Sequence, residues 1–170
     1  ERAFNTNMHT QFNDRWWLHM GGTVGQLGTT YCDRCARGGP AIRQDPYLAP
    51  WINIQGDDRN ALVPYFSVNY FRGDQGRSES LNLSPELDLK VSTRFSTSLS
   101  AGYTHNRADA QYFGTFTDSA SAQHYTFAHL EQQTLSLTWR LGYTFTQNMT
   151  LQLYASPFIS KGTYSDVREI

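Results

Sequence analysis

Between Leu135 and Phe145 the chain alternates without a break. Leu135, Leu137, Trp139, Leu141, Tyr143 and Phe145 fall on one parity, and Ser136, Thr138, Arg140, Gly142 and Thr144 on the other. A β-strand sends successive side chains to opposite faces, so this segment reads as a strand with one apolar and one small, polar side.

The pattern recurs along the chain. Phe4, Thr6, Met8, Thr10 and Phe12 oppose Asn5, Asn7, His9 and Gln11; Trp16, Leu18, Met20 and Val24 oppose Trp17, His19, Gly21 and Thr23. Leu48, Pro50, Ile52 and Ile54 alternate with Trp51, Asn53 and Gln55, and Leu62, Phe66, Val68 and Tyr70 with Tyr65, Ser67 and Asn69. Leu81, Leu83, Leu87 and Leu89 face away from Asn82, Ser84, Glu86, Asp88 and Lys90. Phe95, Leu99, Ala101 and Tyr103 alternate with serines, Gly102 and Thr104, and Leu151, Leu153, Ala155 and Ile159 with Gln152 and Ser156, where Tyr154 and Phe158 blur the pattern. Pro50, Pro64, Pro85 and Pro157 inside these segments imply bulges or strand ends.

Links between segments alternate in length. Short polar turns are expected near Asn13–Asp14, Asp57–Asn60, Ser92–Arg94 and Gln147–Asn148, and longer links at about 26–45, 72–77 and 106–133. The last contains a weaker alternation, Tyr112, Gly114 and Phe116 against Phe113, Thr115 and Thr117, consistent with strands projecting into an outer hairpin. Tight turns at one end and longer loops at the other are the rhythm of an outer-membrane barrel. From Leu135 to Phe145 the strand is roughly 33 Å long at about 3.3 Å per step. Tilted by about 40°, it rises roughly 25 Å, the height of the apolar band on such barrels. Phe12, Trp16, Phe95, Tyr143 and Phe145 gather beside the short turns, where an interfacial girdle would lie. A soluble antiparallel sandwich also alternates, but its strands are usually about five or six residues long.

Composition fits this reading. The net charge of -1 gives no field favouring nucleic acid. Charged residues are 17% and aromatics 14%, which suits a surface partly out of water. A mean hydropathy of -0.55 and the lack of a long apolar run exclude a spanning helix, yet a barrel tolerates both because half its residues face a polar interior. The first residues, Glu1-Arg2-Ala3, have no signal-peptide character, so any such peptide is expected upstream or already removed.

Three stretches are distinctive: Asp33-Arg34-Cys35-Ala36-Arg37-Gly38-Gly39-Pro40; Asn106-Arg107-Ala108-Asp109-Ala110-Gln111-Tyr112; and Leu151 to Ile159 with Gly162-Thr163-Tyr164-Ser165-Asp166. Through them the chain resembles the C-terminal β-barrel region of a large family of bacterial outer-membrane proteins of unassigned function. Those proteins carry an N-terminal β-sandwich similar to family 9 carbohydrate-binding modules. The resemblance implies a barrel and an outer-membrane address, and brings no catalytic residues. Nothing here corresponds to the sandwich, so its glycan binding does not transfer. The residues after Tyr164 to Asp166, Val167-Arg168-Glu169-Ile170, read as lying beyond the last strand without a terminal aromatic. The chain is therefore expected to be a portion of a larger barrel.

Candidate sites are few. Cys32 and Cys35 have a metal-like spacing, but a closed zinc site needs four ligands. A local disulfide is favoured over free thiols or a metal or redox site, as suits an oxidising envelope. Arg34 and Arg37 in the same Gly-rich loop, with Tyr112, Phe113 and Phe116, are the candidates for contact with lipopolysaccharide, a protein partner or a glycan. Glu86, Asp88, Lys90 and Arg140 are expected to form a polar network facing the lumen. A Glu/Asp pair can act as acid and base on a glycoside, but the i, i+2 spacing on one strand favours bracing of the wall. His9 and His19 fall on the polar faces of adjacent strands, where packing is favoured over a metal or a general base. No nucleophile elbow or phosphate loop occurs.

The expectation is one all-β domain over 1–170, an antiparallel up-and-down transmembrane β-barrel with about eight strands in this segment. It would sit in a Gram-negative outer membrane, in contact with its lipid, with a transport, anchoring or scaffold role. No catalytic residue, metal or cofactor and no nucleic-acid partner is expected. The alternative is a soluble or surface β-sandwich that binds carbohydrate through its aromatics.

Overall fold

The computed structural model describes residues 2–169. The strands are β1 (Phe4–Gln11), β2 (Trp17–Gly25), β3 (Thr30–Cys32), β4 (Ile42–Gln44), β5 (Tyr47–Gln55), β6 (Leu62–Gly73), β7 (Ser78–Lys90), β8 (Phe95–Thr117), β9 (Gln123–Thr146), β10 (Met149–Ala155) and β11 (Phe158–Glu169). Nine of them form one antiparallel sheet in the order β1-β2-β5-β6-β7-β8-β9-β10, with β11 also on β9. β10 pairs with Trp139–Thr146 and β11 with Thr126–Ser136, so the two share one position and nine strands fill eight. β3 and β4 form a separate small hairpin. Among the described residues no helix is long and apolar enough to cross a membrane.

Cross-strand register carries the alternation from strand to strand. Leu62 pairs with Leu89, Leu89 with Thr97, and Thr97 with Leu141, so one parity builds a continuous apolar face. Asp88 pairs with Ser98 and Ser98 with Arg140 on the opposite, polar face. The apolar face is left bare. Leu137 is 44% exposed, Leu153 47% and Leu99 48%, and no second sheet covers them among the described residues. Among the described residues the buried apolar side chains are Ala36, Val63, Phe127, Ala128 and Leu130.

The prolines are tolerated because each falls where pairing lapses on one side. Pro50 registers with Gly22 of β2, but the β5–β6 ladder skips from Leu48 to Trp51. Pro85 registers with Phe66 of β6, but the β7–β8 ladder skips from Leu83 to Glu86. Pro157 separates β10 from β11, and its carbonyl accepts the amide of Leu137 at 3.0 Å. A proline offers no amide hydrogen to a ladder, so these lapses are the expected response.

Two sequence expectations change. The span 106–133 is not an irregular link: β8 runs on to Thr117 and β9 starts at Gln123, giving strands of 23 and 24 residues joined by one turn. The shorter alternation at Tyr112–Thr117 belongs to that projecting hairpin. Val167 and Arg168 are not a tail beyond the last strand, because β11 continues through them to Glu169 after a bulge between Ser165 and Arg168. The tight turns β1–β2, β5–β6, β7–β8 and β9–β10 lie at one end; the β2–β5 loop, the Asp74–Gly76 turn and the β8–β9 turn lie at the other.

At the tight-turn end, Asp57 accepts hydrogen bonds from the backbone amide and side chain of Arg59, including one from Nε at 2.9 Å. Those bonds hold its carboxyl down to about 2.

Candidate functional site

The loop end holds the densest polar cluster. β8 breaks register between Ala108 and Gln111, and this bulge presents Asp109 to three strands' worth of neighbours. Asp109 Oδ2 lies 3.3 Å from Arg77 Nε and 3.0 Å from Arg168 Nη2, and Oδ1 lies 3.8 Å from His129 Nδ1. Arg168 also donates to the Asp109 carbonyl at 3.0 Å, and the Asp109 amide donates to the buried Ser78 hydroxyl at 3.0 Å. Arg77 reaches Asp45, just before β5, at 4.0 Å, and Gln75 donates to the same carboxylate at 3.1 Å. Side chains from just before β7, from β9 and from β11 are thus linked around one carboxylate on β8, and Arg77 extends the link to Asp45 before β5.

The cluster lines a cavity of about 420 Å³ with Cys35, Tyr47, Phe71 and the fully buried Phe127. Its walls carry three arginines, Arg43, Arg77 and Arg168, against three aspartates, Asp45, Asp74 and Asp109. Equal numbers of opposite charges give no net field to draw in an ion, so the arrangement suits a latch between loops.

The disulfide loop folds over this cavity. Cys32 and Cys35 are bonded, with Cα atoms 5.5 Å apart. Ala36 is buried and the Arg37 guanidinium sits 4.9 Å from the Tyr112 ring centroid. Tyr125 donates to the Gly38 carbonyl at 3.2 Å, and a side chain at Gly39 would collide with the Tyr125 ring at 2.7 Å. Glycine is what lets the loop lie this close to β9.

The structure therefore brings together Arg37 and Tyr112 from the predicted contact residues, and holds them against the hairpin. Phe113 packs edge-on against Tyr164 at 5.5 Å and stays 45% exposed, while Phe116 and Arg34 are exposed without converging on the pair. Glu86, Asp88, Lys90 and Arg140 do share the polar face, but no ion pair joins them among the described residues. Lys90 donates to the Asp58 carbonyl in the turn, and Arg140 lies over the Tyr154 ring at 5.6 Å. Asp88, Lys90 and Arg140 line an open cavity of about 580 Å³, so they face space and not one another. Sequence reasoning missed Asp109, Arg77 and Arg168 as a unit. The Asn106–Tyr112 stretch marked the place, but nothing in it announced a bulge.

The projecting hairpin ends in a second small cluster. His124 Nδ1 lies 2.8 Å from Glu169 Oε1, and its Nε2 lies 3.4 Å from Asp118 Oδ2. The Glu169 carboxylate first, and Asp118 second, raise the imidazole pKa, favouring the charged ring. Asp118 is lowered in turn, chiefly by the Ala122 amide.

On the apolar face, the row nearest the loop end changes character. Arg72 registers with Glu79, Glu79 with Arg107, and Arg107 with Glu131, alternating in sign across four strands. Arg107 and Glu79 are 3.1 Å apart, and His105 lies 3.3 Å from Glu131. This charged row borders the apolar face where Tyr70, Leu81, Tyr103 and Leu135 end it.

A family model described as Domain of unknown function (DUF5916) matches residues 1–170. No curated protein and no solved structure matches this chain.

Proposed function

The chain belongs to the DUF5916 family, and from that premise we propose that it is a wall segment of a transmembrane β-barrel of a Gram-negative outer membrane, acting in transport, anchoring or as a scaffold. One observation carries this reading: a continuous face of leucines and aromatics left exposed, ending at one edge in the registered row Arg72-Glu79-Arg107-Glu131. In water such a face is a large apolar patch without a partner. In a bilayer it is the lipid contact surface, and the charged row marks the headgroup level. The face opposite, with its Ser, Thr, Gly and Asn side chains, suits a wet interior.

A barrel in lipid cannot leave a sheet edge open, because hydrocarbon offers no partner for bare amides. β1 and the β10–β11 pair stand at the two edges here, with eight positions between and including them. An even count puts the outermost strands antiparallel to each other, so they can close directly or through further antiparallel strands.

Fractionation and gel behaviour test the proposal. The protein should partition with outer membrane and migrate differently when unheated, as folded barrels do. Recovery in buffer without detergent as a monodisperse species would overturn it.

A further inference from the structure

We propose that the disulfide loop is a strap across the outer mouth of a passage lined by the polar face, and that it sets the size of solute admitted there. The inference rests on the barrel reading and selects transport among its roles. Gly25 and Tyr47 are directly paired at the ends of β2 and β5. A hairpin joining two such strands needs about two to five residues, yet the chain between them runs over 26–46 and carries a hairpin of its own, β3–β4. That excess is not needed to connect the sheet, and long ordered loops are where function concentrates.

Contacts place the loop on the polar side of the sheet. The cavity beneath it is lined by Tyr47, Phe71 and Phe127. Tyr47 has the parity of Trp51 and Asn53, and Phe71 that of Ser67 and Asn69, so both belong to the polar face and not to the leucine face. The tip reaches β8 and β9: Arg37 lies over the Tyr112 ring at 4.9 Å, the Gly38 carbonyl accepts from Tyr125 at 3.2 Å, and Ala36 is fully buried. β5 and β9 are four positions apart in the sheet order, so the loop bridges roughly 19 Å of sheet at about 4.8 Å per strand. Toward the tight-turn end the same face is open, where Asp88, Lys90 and Arg140 line the cavity of about 580 Å³. The narrowing therefore lies at the loop end.

The strap is tied at its root, its return and its tip. At the root Gln26 donates to Gln44 at 2.7 Å. Asp45 accepts from Gln75 at 3.1 Å and lies 4.0 Å from Arg77, which joins the returning chain to the β6–β7 turn. At the tip, positive φ at Arg37 (47°) and Gly38 (103°) turns the chain, and the Cys32–Cys35 bond holds the approach to that turn. A loop anchored only at its root could swing aside. One anchored on both flanks of the opening narrows it at all times.

The full-length protein, refolded in detergent and reconstituted into liposomes, should be assayed by swelling in uncharged sugars of rising size, so that size alone is read. One variant replaces residues 30–44, from the start of β3 to the end of β4, by a short Gly-Ser linker, which the pairing of Gly25 with Tyr47 permits. A second, Gly39→Leu with Tyr125→Phe, keeps the loop but lifts its tip, because a Cβ at position 39 meets the ring at position 125 at 2.7 Å. Both should admit the tetrasaccharide stachyose several-fold faster than the unaltered protein, while entry of the pentose arabinose changes little. Equal stachyose rates in all three proteins, each in its heat-modifiable form, would overturn the strap and leave the barrel reading standing, as would a heat-modifiable protein that admits no sugar. An unaltered protein without a heat-modifiable form would overturn the barrel reading and the strap with it. Where the linker variant fails to fold, the second variant decides alone.

Discussion

Asp109 and Arg168 are 59 residues apart in the chain and 3.0 Å apart in the fold. The contact joins the bulge of β8 to the bulged end of β11 across β9, and Arg77 adds the turn before β7 to the same carboxylate. Loop-end order is thereby concentrated in one acidic group.

Arg168→Ala should destabilise the protein by about 1 kcal/mol, because its guanidinium is partly exposed and screened, and Asp109→Ala by more, because two arginines lose their partner. The unfolding midpoint in urea, measured in lipid vesicles, checks this. Arg34→Ala, on the exposed part of the disulfide loop, should shift it by less than about 0.5 kcal/mol.

Leu137→Arg separates a membrane face from a watery one. Leu137 is already 44% exposed, so in water the substitution would be nearly neutral. At mid-bilayer it should cost about 2–4 kcal/mol and impair assembly. Ser100→Arg, on the polar face opposite Glu86, should be tolerated. The fraction reaching the heat-modifiable form reads both variants; equal assembly would count against lipid contact.

The His124 clamp predicts a pH dependence. Its folded pKa is raised above 6.5, so the stabilisation it supplies is complete below 6.5 and lost as pH climbs through the folded value. Amide exchange, corrected for intrinsic rate, should show residues 123–126 and 168–169 losing protection over that rise. His124→Gln should flatten the profile.

Reducing Cys32–Cys35 should act locally. The bond closes only a three-residue separation, so it removes little chain entropy from the unfolded state. Trypsin should cut faster after Arg34 and Arg37 once the bond is reduced, with the global unfolding midpoint unchanged within about 0.5 kcal/mol. Mass spectrometry of the early fragments distinguishes these cuts from general unfolding.

How much of this was legible in the sequence follows from which features have a period. Leu135 to Phe145, and the rows that pair with it, are strand because sterics force side chains to alternate, and their register follows from matching apolar parities. The tight turns were legible for the same reason, as gaps in the period. The Asp109 bulge was not, since one extra residue in a ladder depends on its partner strand and leaves no composition signal. β11 was obscured because Tyr154 and Phe158 put large aromatics on the polar side, and because Asp166 takes a positive φ of 49° at the break before Arg168. The Asp74–Gly76 turn likewise rests on positive φ at Asp74 and Gln75, which side-chain pattern does not announce. The Cys32–Cys35 bond was legible because the chain has no further cysteines to complete a metal site at that spacing, whereas its seat against Tyr112 and Tyr125 needed the long hairpin to be in place.

The length of β8 and β9 makes the loop end of the sheet lopsided. From Arg107, in the charged row, β8 runs ten more residues to Thr117, roughly 33 Å at about 3.3 Å per residue. On the β6–β7 side the wall stops within one turn, at Asp74–Gly76. Phe113 and Phe116 stand exposed on the tall side, while the low side gives the shorter approach to the cavity beneath the disulfide loop.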